Sequence, residues 1–325
     1  MNTVFPYVIS GSALWTWRSQ AIADAQSHQI DVAEVDWLLQ QVCQLESLAI
    51  RLGTLAHQSE VPSAVPLAEL RTLWQRRIRD RVPVQHLVGK TQWRNFTLHV
   101  SPAVLIPRPE TELIVELAAA IVAQSPQAEQ LTQGIWVDLG TGSGAIALGL
   151  AEAFPQAEIL AVDISVAALE MAQRNAKENG LSDRIQFLNG SWFEPLSHLR
   201  GQLTGIVSNP PYIPNAIIPT LSPEVSQHEP LLALDGGEDG LTAVQHLIQE
   251  APQYLRPDGL WITELMANQA SKVMTLLAET HQYVAIQSER DLAGIERFVV
   301  ARKRNIELKK MSLKQTADGR IKRPC

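Results

Sequence analysis

The sequence predicts an α/β protein: a doubly wound, mostly parallel sheet, preceded by a smaller N-terminal helical bundle and a connecting β-hairpin. Three observations carry that expectation. From Ile135 onward, short apolar runs alternate with helical segments, the rhythm of strand–helix–strand units. Before residue 83 the apolar side chains recur instead at intervals of three and four. At 325 residues, the chain also exceeds one typical domain. The expected divisions are a helical domain over 1–83, a linker with the hairpin over 84–108, the α/β domain over 109–302 and a basic, disordered tail over 303–325.

Taken in order, the first eighty or so residues read as helices without strands. Asp31 and Glu34 form a capping pair ahead of Val32, Val35, Leu38, Leu39 and Val42, which share one helical face. A second stripe runs through Leu67, Leu70, Leu73, Trp74 and Ile78, and Trp15, Trp17, Trp37 and Trp74 belong to the bundle's packing. Val82-Pro83 closes it. Thr91 to Val100 alternates as a hairpin should, with Trp93 and Phe96 open to either a core or a partner-holding role. Pro109 suits the first turn of a helix continued by Leu113 to Val122, and Glu110 and Glu112 complement its positive end. Ser125 to Gly134 is polar and reads as a loop. Strands follow at Ile135–Leu139, Glu158–Val162, Ile185–Leu188, Ile206–Ser208 and Leu260–Glu264. The helices between and after them fall near Ala145–Ala153, Ser165–Asn179, Leu241–Leu255 and Gln269–Thr280.

Composition narrows the classes of function. Hydrophobic residues at 46% and charged residues at 19% are those of an ordinary globular protein. No run of eighteen uncharged apolar residues suggests a membrane span, and the first ten residues do not resemble a secretory leader. Cys43 and Cys325 offer neither a disulfide framework nor metal-ligand spacing, so no metal is expected and a cytoplasmic setting fits. A net charge of −7 disfavours a protein that binds by neutralising many phosphates. The charge is uneven, however: after Ala301 nine basic residues face only Glu307 and Asp318. That tail reads as a solvated terminus, with a weak RNA or ribosome contact as the alternative.

Two constellations bear chemistry. Gly205-Ile206-Val207-Ser208 is an apolar strand that runs into Asn209-Pro210-Pro211-Tyr212, and two consecutive prolines forbid it from continuing as ladder or helix. The resulting stiff corner presents a side-chain amide, freed carbonyls and an aromatic ring, which suits gripping a planar NH2 group. Asp138-Leu139-Gly140-Thr141-Gly142-Ser143-Gly144 closes a strand and opens a helix, and Asp163 ends the next strand, where a carboxylate reaches ribose hydroxyls. Gly140, Gly142 and Ala145 also satisfy a dinucleotide fingerprint, but Asp138 favours a cationic ligand over a pyrophosphate.

Together these residues resemble the class I S-adenosylmethionine-dependent methyltransferases that modify planar nitrogens. The stretch from Val84 to Glu112, with His86-Leu87-Val88-Gly89 and Pro107 to Glu112, resembles more narrowly the protein-(glutamine-N5) methyltransferases acting on peptide chain release factors, the PrmC/HemK family. The likeness continues through Trp192-Phe193, Glu229-Pro230, Leu234 to Gly237, Asp239 to Leu241 and Asp291 to Arg297. It implies S-adenosyl-L-methionine as cofactor and methyl transfer to the glutamine of a Gly-Gly-Gln loop in a release factor, by a chain expected to be a monomer. It assigns cofactor binding to Asp138, Gly140, Thr141, Gly142, Gly144, Asp163, Ile164, Ser191, Trp192 and Asn209. Catalysis falls to Asn209, Pro210 and Tyr212, and substrate contact to these with Pro211, Arg108 and Glu110. Asn209 and the Pro210 carbonyl accept the two amide N–H bonds while Tyr212 packs on the flat group. Two residues depart from the family pattern: Ser191 stands where relatives carry an acid reaching the adenine amino group, and Met266 where they usually carry glycine. Methylation of RNA or DNA bases, and a non-catalytic release-factor or ribosome binding module, are the competing readings.

Overall fold

The computed structural model describes residues 5–305, so most of the basic tail lies outside the described residues. Two units divide the described residues: 5–91 with 100–102 and 221–229 form the first, and 92–99, 103–220 and 230–305 form the second.

In the first unit, β1 (Tyr7–Ile9) leads into α1 (Gly11–Ser27), α2 (Ala33–Val42) and α3 (Ser47–Arg51), followed by β2 (Val61–Ser63), α4 (Leu67–Arg79) and α5 (Val84–Val88). Its core gathers Leu14, Trp17, Leu38, Leu39, Leu70 and Trp74, with Trp15 and Trp37 half-buried at its edge. The strand-free expectation needs correcting here, because β1 and β2 pair antiparallel with Val8 opposite Pro62. Three residues interrupted by a proline are too short for a period-two signal. The proposed capping pair is also only half formed. Asp31 Oδ1 accepts from the Ala33 amide at 2.9 Å, whereas Glu34 turns to Arg77 across the bundle. Arg77, 3% exposed, also meets Glu224 at 2.7 Å, a residue of the later segment 221–229.

The hairpin of β3 (Lys90–Trp93) and β4 (Phe96–His99) places Trp93 and Phe96 in the core of the second unit, which settles their open role in favour of packing. Helix α6 (Glu112–Ala123) begins after the Pro109 turn, and Glu112 Oε1 accepts from the Arg94 amide at 2.9 Å. The expected loop after it contains α7 (Ala128–Thr132), which buries Leu131. Then come β5 (Ile135–Leu139), α8 (Ala145–Ala153), β6 (Glu158–Asp163), α9 (Val166–Glu178), β7 (Ile185–Asn189) and β8 (Leu203–Ser208). The single turn α10 (Pro223–Ser226) belongs to the first unit. The second resumes with α11 (Thr242–Tyr254), β9 (Leu255–Glu264), α12 (Ala270–Glu279), β10 (Tyr283–Arg290) and β11 (Glu296–Lys303).

Seven strands form one sheet in the order β10-β11-β9-β8-β5-β6-β7. β5 to β9 are parallel, while β11 and β10 add an antiparallel edge that the sequence pattern did not announce. Alternate residues feed two cores: Trp136, Ile159 and Val207 pack on one face, Val137, Leu160 and Ile206 on the other. That is why these strands read as continuous apolar runs. The register sets Leu139 opposite Val162 on one side and Ser208 on the other. The chain leaves β5 toward β6 and β7, then returns to build β8 and β9 on its far side. The carboxyl end of β5 is therefore a topological switch point, the place where such sheets hold ligands.

Candidate active site

The glycine turn is stitched to the neighbouring strand, since the Gly140 and Thr141 amides both donate to the Val162 carbonyl at 2.9 Å. Gly140, Gly142 and Gly144 all take positive φ, which side chains rarely adopt. Asp163 closes the arrangement: Oδ2 accepts from the Gly142 amide at 2.8 Å and Oδ1 from the Ser165 amide at 2.9 Å. Burial raises its pKa, opposed by the backbone N–H groups that it accepts. Each carboxylate oxygen keeps a further lone pair, and the residue faces the cavity at the switch point.

Asp138 is not among the residues that line the cavity. It is fully buried beneath the turn, where Oδ2 accepts from the Thr141 hydroxyl at 2.6 Å and from the Ala147 amide at 3.1 Å. Burial pushes its pKa up to about 7, so at neutral pH it does not supply a full fixed charge. Its Oδ1 meets no hydrogen-bond donor among the described residues.

The proline corner leaves β8 after Ser208, whose hydroxyl donates to the Leu139 carbonyl at 2.6 Å and locks the two strand ends together. Asn209 lines the cavity, and its Nδ2 donates to Thr111 Oγ1 at 3.2 Å. The Tyr212 hydroxyl donates to Glu264 Oε1 at 3.1 Å, at the end of β9. Burial beside that carboxylate drives the phenol pKa strongly up, so Tyr212 stays protonated. From behind, Gln269 Nε2 donates to the Tyr212 carbonyl at 2.9 Å, and Ile213 exchanges backbone hydrogen bonds with Leu234 and Gly236. Gly240, at φ +75°, approaches the Tyr212 carbonyl so closely that a side-chain carbon would collide with it. The Leu234 to Leu241 motif is thus the corner's scaffold.

Of the residues singled out from the sequence, Gly140, Thr141, Gly142, Asp163, Ile164, Ser191, Trp192, Asn209, Pro211 and Arg108 line this one cavity. Asp138, Gly144, Pro210, Tyr212 and Glu110 are not among its lining residues. Pro210 is buried and Glu110 exposed. Ser191 is at the wall, its amide donating to Glu194 Oε2 at 3.0 Å, which holds the turn at Trp192 with φ +48°. Met266 lies outside the corner, but its amide donates to Gln269 Oε1 and so steadies the side chain that holds Tyr212. Thr111 and Glu264 were not foreseen. Neither forms a motif with the corner in sequence, and only the sheet's register brings them to it.

A doubly wound sheet with a glycine turn, an acidic strand end and an Asn-Pro-Pro-Tyr corner whose Asn209 and Pro211 line one cavity defines a methyltransferase-type site. Residues 115–218 match the model of the methyltransferase small domain. The release factor glutamine methyltransferase of Synechocystis sp. is 50% identical over 297 residues, covering 90% of this chain and 97% of that protein. That of Thermosynechococcus vestitus is 47% identical over 296 residues, covering 90% and 99%. The chain belongs to the release factor glutamine methyltransferase family. Among solved structures, the catalytic domain of hMettl16 in complex with a MAT2A 3′UTR hairpin aligns with a TM-score of 0.53 over 68% of this chain and 81% of that one. At 15% identity this likeness speaks to the fold alone. No helix among the described residues is long and apolar enough to cross a membrane.

Proposed function

We propose that this chain transfers the methyl group of S-adenosylmethionine to the side-chain amide nitrogen of the glutamine in the Gly-Gly-Gln loop of peptide chain release factors. The observation that carries the reading is Asn209, seated at the cavity with one N–H of its Nδ2 donated to Thr111. Its Oδ1 is then the atom available to accept an N–H from a planar amide. A glutamine amide is a poor nucleophile because its lone pair is delocalised. Accepting its N–H bonds at Asn209 and the Pro210 carbonyl raises density on nitrogen and fixes its direction, so catalysis is orientation and electrostatics.

The donor set fits the cofactor: Asp163 offers carboxylate lone pairs suited to ribose hydroxyls, and the glycine turn leaves backbone open to close approach. When bound, S-adenosylmethionine supplies the electrophilic methyl. Ser191 and Trp192 are assigned to the adenine side of the cavity, and the helical unit to holding the release factor. A cytoplasmic setting follows from that substrate. Incubation with labelled cofactor and purified release factor, followed by peptide mass analysis, tests the reading. Methylation is expected on the Gly-Gly-Gln peptide, and its absence overturns the assignment. Asn209→Ala is expected to abolish transfer while calorimetry still detects cofactor binding.

A further inference from the structure

Asn209 can serve an amide substrate only in one of its two orientations. With Oδ1 toward the cavity it accepts an N–H; flipped, it presents Nδ2 as a donor and repels the very group it must hold. Backbone shape does not distinguish these orientations, because the two ends of the amide are nearly equal in size. A neighbour with a fixed polarity has to.

That neighbour is Thr111, 4% exposed, whose Oγ1 accepts from Asn209 Nδ2 at 3.2 Å. A hydroxyl can accept from Nδ2 or donate to Oδ1, so its own proton decides which end of Asn209 it attracts. Glu264 supplies the decision. Its carboxylate is 1% exposed and takes the Tyr212 hydroxyl on Oε1, while Oε2 has no donor at hydrogen-bond distance among the described residues. Burial raises the pKa of Glu264, and the hydroxyls of Thr111 and Tyr212 together with the charge of Arg297 oppose that rise and favour the ionised form, which attracts a hydroxyl proton. A buried carboxylate oxygen without a donor is costly, and a nearby hydroxyl proton is drawn to it. Once that proton turns to Glu264, only the lone pairs of Thr111 face Asn209. Apo-state contacts of this kind commonly shorten when substrate binds.

We propose that Thr111 and Glu264 are positioning residues that set the polarity of the Asn209 amide, with Glu264 orienting Tyr212 through its other oxygen. The inference rests on the reading that Asn209 accepts the substrate amide. Carboxylate, threonine and asparagine thus form a directional chain ending at the reacting nitrogen.

The experiment measures kcat and KM for release factor methylation, cofactor affinity by calorimetry and melting temperature. It compares the full chain with Thr111→Val, Thr111→Ser, Glu264→Gln, Asn209→Ala and the Thr111→Val/Glu264→Gln double variant. Valine keeps the shape of threonine without its hydroxyl, so kcat is expected to fall by about 10- to 100-fold, less than the roughly 100- to 1000-fold lost with a donor that itself touches the reacting group. KM and cofactor affinity should stay within about threefold. Serine restores the hydroxyl and should recover most of the rate. Glutamine at 264 can donate to Thr111 and reverse the chain, so it should slow turnover comparably, and the double variant should be no slower than the worse single one. If Asn209→Ala keeps full turnover, the functional reading fails before this one is reached. If Asn209→Ala is inactive while Thr111→Val turns over within twofold of the parent, the polarity chain is overturned. It is equally overturned if Ser and Val variants are slowed alike, or if the double variant shows the product of the single losses. Should Thr111→Val lower the melting temperature sharply, the Thr111→Ser and Glu264→Gln rates decide the matter.

Discussion

Asp138 makes the stability of this protein depend on pH, with a sign opposite to that of a salt-bridged carboxylate. Its pKa rises from 3.8 to about 7 in the folded chain, and burial is the leading cause. Below pH 4 both states carry the proton and the group contributes no difference. Between pH 4 and 7 the unfolded chain ionises while the folded chain keeps its proton, so the folded state binds more protons and unfolding becomes easier as pH rises. The penalty is complete above pH 7. Three pH units at about 1.4 kcal/mol each make roughly 4 kcal/mol, of which about 3 kcal/mol falls between pH 5 and 8. Asp138→Asn cannot ionise and lacks this slope. An asparagine oxygen can still accept from the Thr141 hydroxyl and the Ala147 amide, while its NH2 takes the place of the donor-less Oδ1, at a cost that does not vary with pH. Urea unfolding of both proteins at half-unit steps from pH 5 to 8 isolates the effect. The stability of the parent minus that of the variant should fall by about 3 kcal/mol across the range. Parallel curves would show that Asp138 is ionised throughout in the folded protein, refuting the account of its burial.

Three other perturbations probe the scaffold. Gly240→Ala places a methyl against the Tyr212 carbonyl at a positive φ, and kcat should drop at least tenfold while cofactor affinity, read by calorimetry, holds within about threefold. Arg77→Ala strands Glu34 and leaves Glu224 only its ion pair with Arg81, and should cost about 3 kcal/mol in chemical denaturation; a loss under about 1 kcal/mol would mean solvent already screens these carboxylates. Trp93→Ala empties a site 1% exposed and removes the hydrogen bond from its Nε1 to the Arg108 carbonyl, so a loss of about 3–5 kcal/mol is expected by the same measurement.

What the sequence disclosed followed how local each feature is. The glycine turn and the proline corner are written in consecutive residues, and the alternation of apolar runs with helical stripes follows from a sheet buried on both faces. The antiparallel edge was hidden because β10 is half-exposed and interrupted by bulges, which blur its period of two. Asp138 was visible as a residue but not as an environment, since nothing in the chain around it announces complete burial. Thr111 and Glu264 were invisible as partners, because 98 residues separate Thr111 from Asn209 and 52 separate Tyr212 from Glu264.

The same separation explains why the corner needs the sheet. Two prolines stiffen Asn209-Pro210-Pro211-Tyr212, but stiffness fixes the backbone and leaves the amide and the phenol free to turn. Their directions come from β9 through Glu264 and from the segment before α6 through Thr111, while Gln269 at the start of α12 holds the Tyr212 carbonyl. β9 lies beside β8 in parallel register with Thr263 opposite Ser208, so Glu264 arrives one residue beyond the strand pair just as the corner begins. A slip of one residue would turn Glu264 to the other face of the sheet and leave Tyr212 without its acceptor. The polarity of the site is therefore a consequence of strand register, and substitutions that loosen the β8–β9 pairing should lower kcat before they lower cofactor affinity.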